Sequence, residues 1–490
     1  MVKFQVRYAL AVILGLPLFP TGVVGAVDAA KPNFVVILVD DMGYGDIGPF
    51  GSKVNRTPNL DRMAAEGMKL TSFYAAPVCT PSRAQMMTGC YAKRVSMPAV
   101  IFPSCPTGLS TQEKTVAGLL KGCGYATMCI GKWHLGDQPE FLPTQHGFEH
   151  YLGLPYSNDM GGPAKPMARR KAAKPSAQAK ADKRPPLPLV RDDKVIEAPA
   201  DQDKLTARYT EEAVKFITAN KDRPFFLYFP HTAVHVPLHP GEAFRGKSAN
   251  GTYGDWVEEV DWSVGQVLET LRKLKLHQNT LVLFTSDNGP WLIQGPKGGV
   301  AGPLRGGKGS TWEGGMREPT IAWWPGKVSA GTACNAPASE IDVLPTLVRL
   351  AGGTMPADRV IDGRNIWPLL AGQSKQSPHE VLFYFAGKQL QAVRSGPWKL
   401  AIAPQSELKT LKDPPVPASL GKPRLYDLDA DIGERTDVAA QHFDVVQRLL
   451  GYIAKMDADL GLKGDGPGVR PCGRVENPKP LLMRTATEYD

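Results

Sequence analysis

The chain has 490 residues, of which 42% are hydrophobic and 21% charged, so it is long enough for more than one globular unit and has ordinary core content. Its formal charge of +9 is concentrated, because segment 165–194 holds ten Lys and Arg against three Asp and the N-terminus adds Lys3 and Arg7. The remainder is close to neutral, which excludes a general nucleic-acid-binding surface. Residues 163–195 predict a basic, mobile surface insertion, with a docking strip for a polyanionic substrate as the alternative.

The N-terminal segment has the pattern of a signal peptide. Lys3 and Arg7 precede an apolar run at 9–19, and small residues follow at 24–26. The run is too short and too often broken by Pro and Gly for a comfortable membrane span. We therefore predict a cleaved signal peptide over 1–26, no stable membrane span, and a periplasmic or secreted protein. An uncleaved N-terminal anchor is the alternative.

Apolar runs alternate with helical patterns over most of the chain. Four runs predict buried strands, and the amphipathic patterns between them predict helices. This alternation is typical of a doubly wound α/β domain with a mostly parallel sheet. The predicted strands are 34–39, 126–130, 225–229 and 281–285, and the predicted helices are 57–67, 114–124, 205–220 and 257–274.

The alternation of predicted strands and helices ends near residue 375. Beyond it come the short strand-like pieces EVLFYFAG, LQAVRSGPWKLAI and RLYDL, followed by an amphipathic helix near 443–459. Short strands in succession predict an antiparallel sheet. We therefore expect an N-terminal α/β domain over 27–375 and a smaller C-terminal α+β domain over 376–490.

Acidic and amide side chains follow two of the predicted strands. Asp40 and Asp41 come after the first strand, and Asp287 and Asn288 come after the fourth. Ligands gather at the carboxyl ends of strands in open α/β sheets. Three carboxylates and an amide oxygen are hard donors that suit Ca²⁺ or Mg²⁺ better than zinc. The sequence thus predicts a divalent-cation site at this edge.

Basic side chains follow the other strands and a glycine-rich loop. Lys132 and His134 come after the second strand, His231 and His235 after the third, and Lys308 lies in LRGGKGSTWEGG. Each alone is more often a structural residue. Together they predict cations and imidazoles at the same sheet edge as the acidic cluster.

The spacing of three histidines raises a zinc alternative. His231, His235 and His239 recur every four residues, which on a helix would align them as zinc ligands. Prolines beside them, such as Pro237, make a helix improbable. We interpret the segment as a loop that leaves a strand, with one histidine reaching the site.

Cys79 opens the stretch CTPSRAQMMTG, in which Thr80 suits a helix N-cap, Pro81 the first helical position and Gly89 the stop. A cysteine at the positive end of a helix is an activated nucleophile, half of a disulfide, or the precursor of a modified residue. Cysteine-dependent phosphatases use a longer loop before their arginine than the three residues before Arg83, and no metal. With seven cysteines in the chain, at least one lies outside any internal disulfide.

The pattern C-T-P-S-R, followed by T-G, resembles the maturation signature of the type I, formylglycine-dependent sulfatases. The resemblance extends through VILVDDMGYGD, GYATMCIGKWHLG, FTSDNGP, GGKGSTWEGGMREP and RLYDLDADIGERTD, and is strongest to arylsulfatase A-like members. It implies an alkaline-phosphatase-like mostly parallel sheet sandwiched by helices in a catalytic domain over 27–375, with a small C-terminal domain containing an antiparallel sheet.

The resemblance also assigns roles residue by residue. It implies metal ligands at Asp40, Asp41, Cys79, Asp287 and Asn288, catalytic residues at Cys79, Arg83, Lys132, His134, His235 and Lys308, and substrate contacts at Ser157, Asn158 and Asp159.

The implied activity is hydrolysis of a sulfate monoester through a covalent sulfo-enzyme. The resemblance implies that Cys79 is converted to Cα-formylglycine (3-oxoalanine) by a maturation enzyme and that one Ca²⁺, rather than Mg²⁺, is bound per chain. The substrate is expected to be a sulfated small molecule or glycan. The alternatives are a phosphonate or phosphate diester hydrolase of the same superfamily and a non-catalytic protein that binds sulfated glycans through an unmodified Cys79.

Overall fold

The structure is a computed structural model that describes residues 1–6, 8–9, 31–162, 184–405 and 422–481. The chain divides into two compact units, Met1–Ala30 and Lys31–Asp490. The described residues of the first unit have no regular secondary structure, and most of the predicted signal peptide lies outside them. None of the helices that the structure describes has both the length and the hydropathy needed to cross a membrane.

The second unit contains all the regular elements of the described residues. Its helices are α1 (Pro58–Glu66), α2 (Cys79–Thr88), α3 (Val116–Gly122), α4 (Leu205–Ala219), α5 (Gly251–Lys273), α6 (Glu313–Met316), α7 (Val343–Leu350), α8 (Trp367–Leu370) and α9 (Phe443–Leu460). Its strands are β1 (Asn33–Val39), β2 (Met68–Tyr74), β3 (Thr107–Gly108), β4 (Ala126–Ile130), β5 (His150–Gly153), β6 (Leu189–Arg191), β7 (Lys194–Glu197), β8 (Phe225–Pro230), β9 (Thr280–Ser286), β10 (Arg317–Trp323), β11 (Thr332–Cys334), β12 (Ala338–Ser339), β13 (Leu382–Ala386), β14 (Gln389–Ser395), β15 (Trp398–Ala401), β16 (Arg424–Asp427) and β17 (Gly473–Arg474).

An 11-stranded sheet forms the centre of the unit, in the order β11-β2-β10-β9-β1-β8-β4-β5-β6-β7, with β12 beside β2. The five strands from β9 to β5 run parallel to their neighbours. Antiparallel strands flank them, because β10 pairs antiparallel with β9 and β6 pairs antiparallel with β5. The carboxyl ends of the parallel strands therefore meet at one edge.

The sheet is buried on both faces, as its continuous apolar strands require. Along β1, Phe34, Val36 and Leu38 enter a core shared with α2, α3 and α7, whereas the alternate residues enter a second core. That second core is shared with α1, α4 and α5. Helices thus cover both sides of the sheet.

A separate four-stranded antiparallel sheet, β13-β14-β15-β16, lies in the C-terminal region. Helix α9 packs on it through an apolar stripe that includes Val446, Leu449 and Ile453, in a core with Val393 and Leu400 of the sheet. The predicted fold class, a mostly parallel α/β sheet with a smaller antiparallel C-terminal sheet, is confirmed.

The four predicted strands agree with the structure to within one residue at each end. The prediction for α5 is wrong at its start, because the helix begins at Gly251, six residues before 257. Two glycines in its first turn argued against a helix, but burial of Tyr253 and Trp256 overrides that propensity. The prediction that 163–195 is a mobile surface insertion is wrong at its C-terminal end, because Leu189 and Val190 are buried in β6. Residues 163–183 of this segment lie outside the described part of the chain.

None of the seven cysteines, all of which the structure describes, forms a disulfide. Cys79 and Cys129 are buried, whereas Cys334 is partly exposed.

Candidate active site

The strand ends converge on one buried cluster. Ligand atoms of Asp40, Asp41, Cys79 and His235 all lie within 4.8 Å of one another, and all four residues are buried. Backbone hydrogen bonds continue past the strands and fix this geometry: the N–H of Asp287 donates to Val39 O at 2.9 Å. The sheet therefore delivers the predicted acidic residues to one point.

Lys132 lies beside the first carboxylate. Its Nζ donates to Asp40 Oδ2 at 2.5 Å, and neither side chain is exposed. Burial by itself raises the pKa of Asp40, but Lys132, aided by His235 and Arg83, outweighs burial and holds the pKa well below its usual range. Asp40 is therefore an anion in this site, and Lys132 is a cation.

Arg83 joins α2 to the end of β9. Its Nε and Nη2 donate to Asp287 Oδ2 at 3.0 and 2.7 Å, and its Nη1 donates to Lys132 O at 2.5 Å. Burial, together with the negative charge of Asp40, raises the pKa of Asp287 to about 6 although Arg83 opposes this. Arg83 thus ties together three segments that carry predicted site residues.

The second carboxylate of the pair is held by Lys308 and Asn288. Lys308 Nζ donates to both oxygens of Asp41, at 2.7 and 2.9 Å, and Asn288 Nδ2 donates to Asp41 Oδ1 at 2.8 Å. Asp41 has a φ of 63°, in the left-handed region that side-chain-bearing residues seldom adopt. Such backbone strain is kept where the surroundings hold a functional group in place.

The donor set fits a hard divalent cation. Burial raises the pKa of Asp41 and of Asp287, and the negative charge of the neighbouring Asp40 raises both further. The Oδ1 atom of Asn288 is buried and accepts no hydrogen bond from the described residues. A bound cation would relieve both features, and oxygen donors are those that Ca²⁺ and Mg²⁺ prefer.

Cys79 is the first residue of α2, so the prediction that Thr80 caps the helix is wrong. Val78 is the N-cap residue, with extended backbone, and the Thr80 hydroxyl donates instead to His134 O at 3.0 Å. The predicted stop is confirmed, because Gly89 ends the helix with a φ of 68°. Cys79 consequently lies in the first turn, at the positive end of the helix.

The Cys79 side chain contacts both charges of the site. Its Sγ lies 3.5 Å from Asp40 Oδ1 and 3.5 Å from Lys308 Nζ. Burial raises the pKa of the Cys79 thiol to about 12, although Lys132 and Lys308 lower it. An unmodified thiol here is therefore protonated at neutral pH and a poor nucleophile.

His134 presents one unprotonated nitrogen. Its Nε2 lies 3.0 Å from Ile101 O and must donate to it, which leaves Nδ1 as an acceptor. Nδ1 is buried without a partner among the described residues, and φ at His134 is 61°. Burial, helped by Lys132 and Arg83, lowers the pKa of His134 well below its usual value, so the ring is neutral.

His235 is the histidine of its segment that reaches the cluster. Its Nδ1 donates to Val236 O at 2.6 Å, so the free Nε2 faces Asp41 Oδ2 at 3.6 Å. Burial and Lys308 lower the pKa of His235 to about 3. The His231 ring instead packs at a tilt of 41° against the Phe229 ring, and His239 pairs with Asp203 at 2.8 Å, so the three histidines do not converge on a zinc site.

The three predicted substrate contacts lie beside His235 in different ways. Ser157 Oγ is 3.5 Å from His235 Nδ1. The Asn158 amide donates to the carbonyls of His235 and Pro237, at 3.4 and 3.1 Å, and so holds the histidine loop. Asp159 lines a neighbouring cleft.

The sequence analysis missed Trp291, Glu318 and Glu340. The Trp291 ring lies 5.3 Å from the His235 ring, and Lys308 Nζ lies 4.7 Å from its centroid. The carboxylates of Glu318 and Glu340 are fully buried without hydrogen-bond partners in the described part of the chain, and burial raises the pKa of both well above the usual range. Only the position of Trp291 just after Asp-Asn-Gly-Pro could have pointed to it.

Two family models match this sequence. The model described as sulfatase matches residues 32–353, more than half of the chain, and the model described as the C-terminal region of aryl-sulfatase matches residues 377–465. The chain belongs to the sulfatase family. The resemblance inferred from the motifs is thereby confirmed.

Curated relatives of this sulfatase act on sulfate esters by name. It is 40% identical over 479 residues to arylsulfatase A of Homo sapiens, with 91% of this chain and 94% of the relative covered. It is 41% identical over 437 residues to steryl-sulfatase of Mus musculus, with 75% and 70% covered. The protein is thus an enzyme that hydrolyses sulfate esters, and the non-catalytic alternative is set aside.

Solved structures share the fold of this sulfatase. The PsFucS1 sulfatase from Pseudoalteromonas sp. is 30% identical with a TM-score of 0.77, covering 89% of this chain and 92% of that one. Ps i-CgsB, solved in complex with k-i-k-neocarrahexaose, is 31% identical with a TM-score of 0.71, covering 87% and 92%. The phosphonate monoester hydrolase SpPMH from Silicibacter pomeroyi, 17% identical with a TM-score of 0.62 over 87% and 95%, shares the fold alone. The alkaline-phosphatase-like architecture is confirmed.

Proposed function

We propose that this sulfatase hydrolyses a sulfate monoester with Cα-formylglycine at position 79 as the nucleophile and one Ca²⁺ held by Asp40, Asp41, Asp287 and Asn288. The supporting observation is the place of Cys79, whose Sγ lies 3.5 Å from both Asp40 and Lys308 in the first turn of α2. This is where an attacking atom must lie to meet a sulfuryl group bound against the cation site and the lysines.

The modification answers a chemical problem at position 79. A buried thiol with a pKa of about 12 supplies little thiolate. A hydrated aldehyde supplies two hydroxyls on one carbon, one to displace the alcohol and one whose deprotonation expels the sulfate. The maturation enzyme that would form this group is a required partner.

The lysines and histidines have distinct roles in this proposal. Lys132 and Lys308 donate hydrogen bonds to the sulfuryl oxygens as charge shifts onto them. His134 Nδ1, which is neutral and unpartnered, accepts the proton from position 79. His235 Nε2 donates to the departing alcohol oxygen, because the negative charge of a bound sulfate ester favours the protonated ring. Arg83 donates to both Asp287 and the Lys132 carbonyl and so fixes their positions relative to one another.

The cation, when bound, would supply positive charge to the sulfuryl oxygens and to the nucleophile. We expect Asp40→Ala and Asp287→Ala each to weaken calcium binding and to lower kcat by about 10²-fold or more, since each removes a ligand from a charge-stabilising site. Isothermal calorimetry with calcium measures the first effect independently of activity.

The matched control for these variants is Asp222→Ala, which removes a largely exposed carboxylate that pairs with Lys221. It should bind calcium and turn over like the parent. Unchanged calcium binding in both Asp40→Ala and Asp287→Ala would place the metal elsewhere.

The reaction class is tested by comparing an aryl sulfate with an aryl phosphate diester as substrates for the matured protein. We expect a higher kcat/KM for the sulfate. A preference for the diester would favour the phosphonate or phosphate diester hydrolase alternative, whose fold is shared.

The substrate and location follow as proposals. A sulfated glycan or small molecule suits the site, and the neighbour Ps i-CgsB is described in complex with k-i-k-neocarrahexaose. An exported, periplasmic or secreted protein is proposed from the pattern of residues 1–26. The domain limits 27–375 and 376–490 also remain proposals.

A further inference from the structure

The loop that carries Lys308 is tied to the site through its own backbone. The N–H of Lys308 donates to Pro290 O at 2.9 Å, and the N–H of Gly309 donates to Pro77 O at 2.7 Å. Pro290 follows the amide ligand of the proposed cation site by two residues, and Pro77 precedes the nucleophile position by two. Residues 305–315, named the Lys308 loop, therefore contact the segments that carry both groups.

The Lys308 loop has little conformational preference of its own. Glycine occupies five of its eleven positions, and Gly306 and Gly309 have φ values of 71° and 85°, in the left-handed region. Because glycine has access to more backbone conformations than any other residue, such a loop needs its surroundings to hold it in one shape. The position of the Lys308 ammonium therefore depends on contacts made elsewhere along the loop.

Three side chains of the C-terminal region converge on Thr311. Lys399 Nζ and Gln405 Nε2 both donate to Thr311 O, at 2.8 and 2.7 Å. The Thr311 hydroxyl donates to Gln391 Oε1 at 2.8 Å. All four residues are buried. Gln391 lies in β14, Lys399 lies in β15, and Gln405 follows β15, so the antiparallel sheet holds the Lys308 loop three residues beyond its lysine.

The C-terminal region also contacts the Lys308 loop at two further points. Glu313 Oε1 accepts a hydrogen bond from the Tyr384 hydroxyl at 3.0 Å, and the N–H of Glu313 donates to Glu434 Oε2 at 2.7 Å. Arg305 Nη1 donates to Glu434 O at 2.9 Å. The C-terminal region thus holds the loop both before and after its lysine.

We propose that Gln391, Lys399 and Gln405 are positioning residues for Lys308. They hold Thr311, and through it they keep the Lys308 ammonium beside the sulfuryl oxygens. The C-terminal sheet then contributes to catalysis through the loop rather than by contact with the substrate. Displacing a catalytic group by about 1 Å can cost about 10²-fold in rate. This inference rests on the proposed function, because it depends on the role given there to Lys308.

The test measures kcat for an aryl sulfate with the matured full chain in two backgrounds, the parent and Lys308→Ala. Thr311→Val keeps the shape of the side chain but removes its hydrogen bond to Gln391. We expect it to lower kcat about tenfold in the parent and less than about twofold in Lys308→Ala, since its effect passes through the lysine. Gln405→Leu should behave in the same way. Lys399 stays unchanged, because it also forms buried ion pairs.

Two variants serve as controls. Thr311→Ser keeps the hydroxyl and should retain kcat within about twofold of the parent. Thr218→Val removes an exposed hydroxyl that donates to Val214 O on α4, and it should also leave kcat unchanged. Every variant is assayed well below its unfolding temperature and should bind calcium like the parent, because the cation ligands are untouched.

Binding of inorganic sulfate, measured by calorimetry, gives a second readout that does not need turnover. Thr311→Val should weaken sulfate binding in the parent and not in Lys308→Ala, because the contact that it disturbs is the charged hydrogen bond from the lysine. This comparison decides the question if Lys308→Ala is too slow to assay.

Two results would overturn the inference. One is an equal fold-loss from Thr311→Val in the two backgrounds, which would show a general structural effect instead of one that acts through Lys308. The other is a parental kcat in both Thr311→Val and Gln405→Leu. Failure of the proposed function looks different, since Lys308→Ala itself would then keep the parental kcat.

Discussion

The Cys79→Ser variant is expected to react once and then stop. Serine places one hydroxyl beside Asp40 and Lys308, close to the position of the present Sγ, so attack on sulfur remains geometrically available. It has no second hydroxyl on the same carbon with which to expel the sulfate. We therefore expect kcat to fall by at least about 10³-fold, because the sulfated enzyme cannot release its sulfate, and the intact protein to gain the mass of one sulfuryl group.

Mass spectrometry of the variant after incubation with an aryl sulfate checks the mass gain, and a steady-state assay with the same substrate measures kcat. Cys334→Ser is the matched control, because Cys334 is partly exposed in β11, on the far part of the sheet, and should leave turnover unchanged. Multiple turnover by Cys79→Ser at the parental rate would disprove the two-hydroxyl scheme.

Removing the buried Lys399 is expected to give the largest loss of stability. Its Nζ lies 2.7 Å from Glu434 Oε1 and 3.1 Å from Glu313 Oε1, and it donates to Thr311 O at 2.8 Å. All three charged side chains are fully buried. Lys399→Met would remove the cation that pairs with the buried Glu434 and one of the cations beside Glu313, so we expect the free energy of unfolding to fall by about 3–5 kcal/mol.

The control for this prediction is the same substitution in an exposed pair. Lys388 pairs with Asp465 at 2.5 Å, but both side chains are about half exposed, so Lys388→Met should change the free energy of unfolding by less than about 1 kcal/mol. Denaturant unfolding of the two variants compares them directly. Equal losses would contradict the claim that burial of the Lys399 ion pairs makes this lysine the more costly of the two to remove.

Much of the fold could be predicted from the sequence because its central strands have a distinctive pattern. Strands buried on both faces read as unbroken apolar runs, and β1, β4, β8 and β9 are of this kind. Strand β10 was missed because Arg317 and Glu318 interrupt its apolar pattern. Arg317 is buried, and its Nε donates to Thr71 O of β2, a contact between segments that are distant in sequence.

The candidate site was predictable where it depends on strand ends and not where it depends on loops meeting one another. Asp40 and Asp287 follow parallel neighbours, so their proximity follows from the sheet. The contacts of Trp291 with His235 and Lys308 involve three separate loops and leave no periodic signal. The prediction that Thr80 caps the helix was wrong for a related reason. The Thr80 hydroxyl donates instead to the carbonyl of His134, which lies in another loop.

The mass of the peptide that contains residue 79, taken from the active purified protein, tests the central claim most directly. The account predicts an aldehyde in place of the thiol at this position, in an amount that tracks the specific activity of each preparation. Full sulfatase activity from protein in which Cys79 is an intact thiol would contradict it.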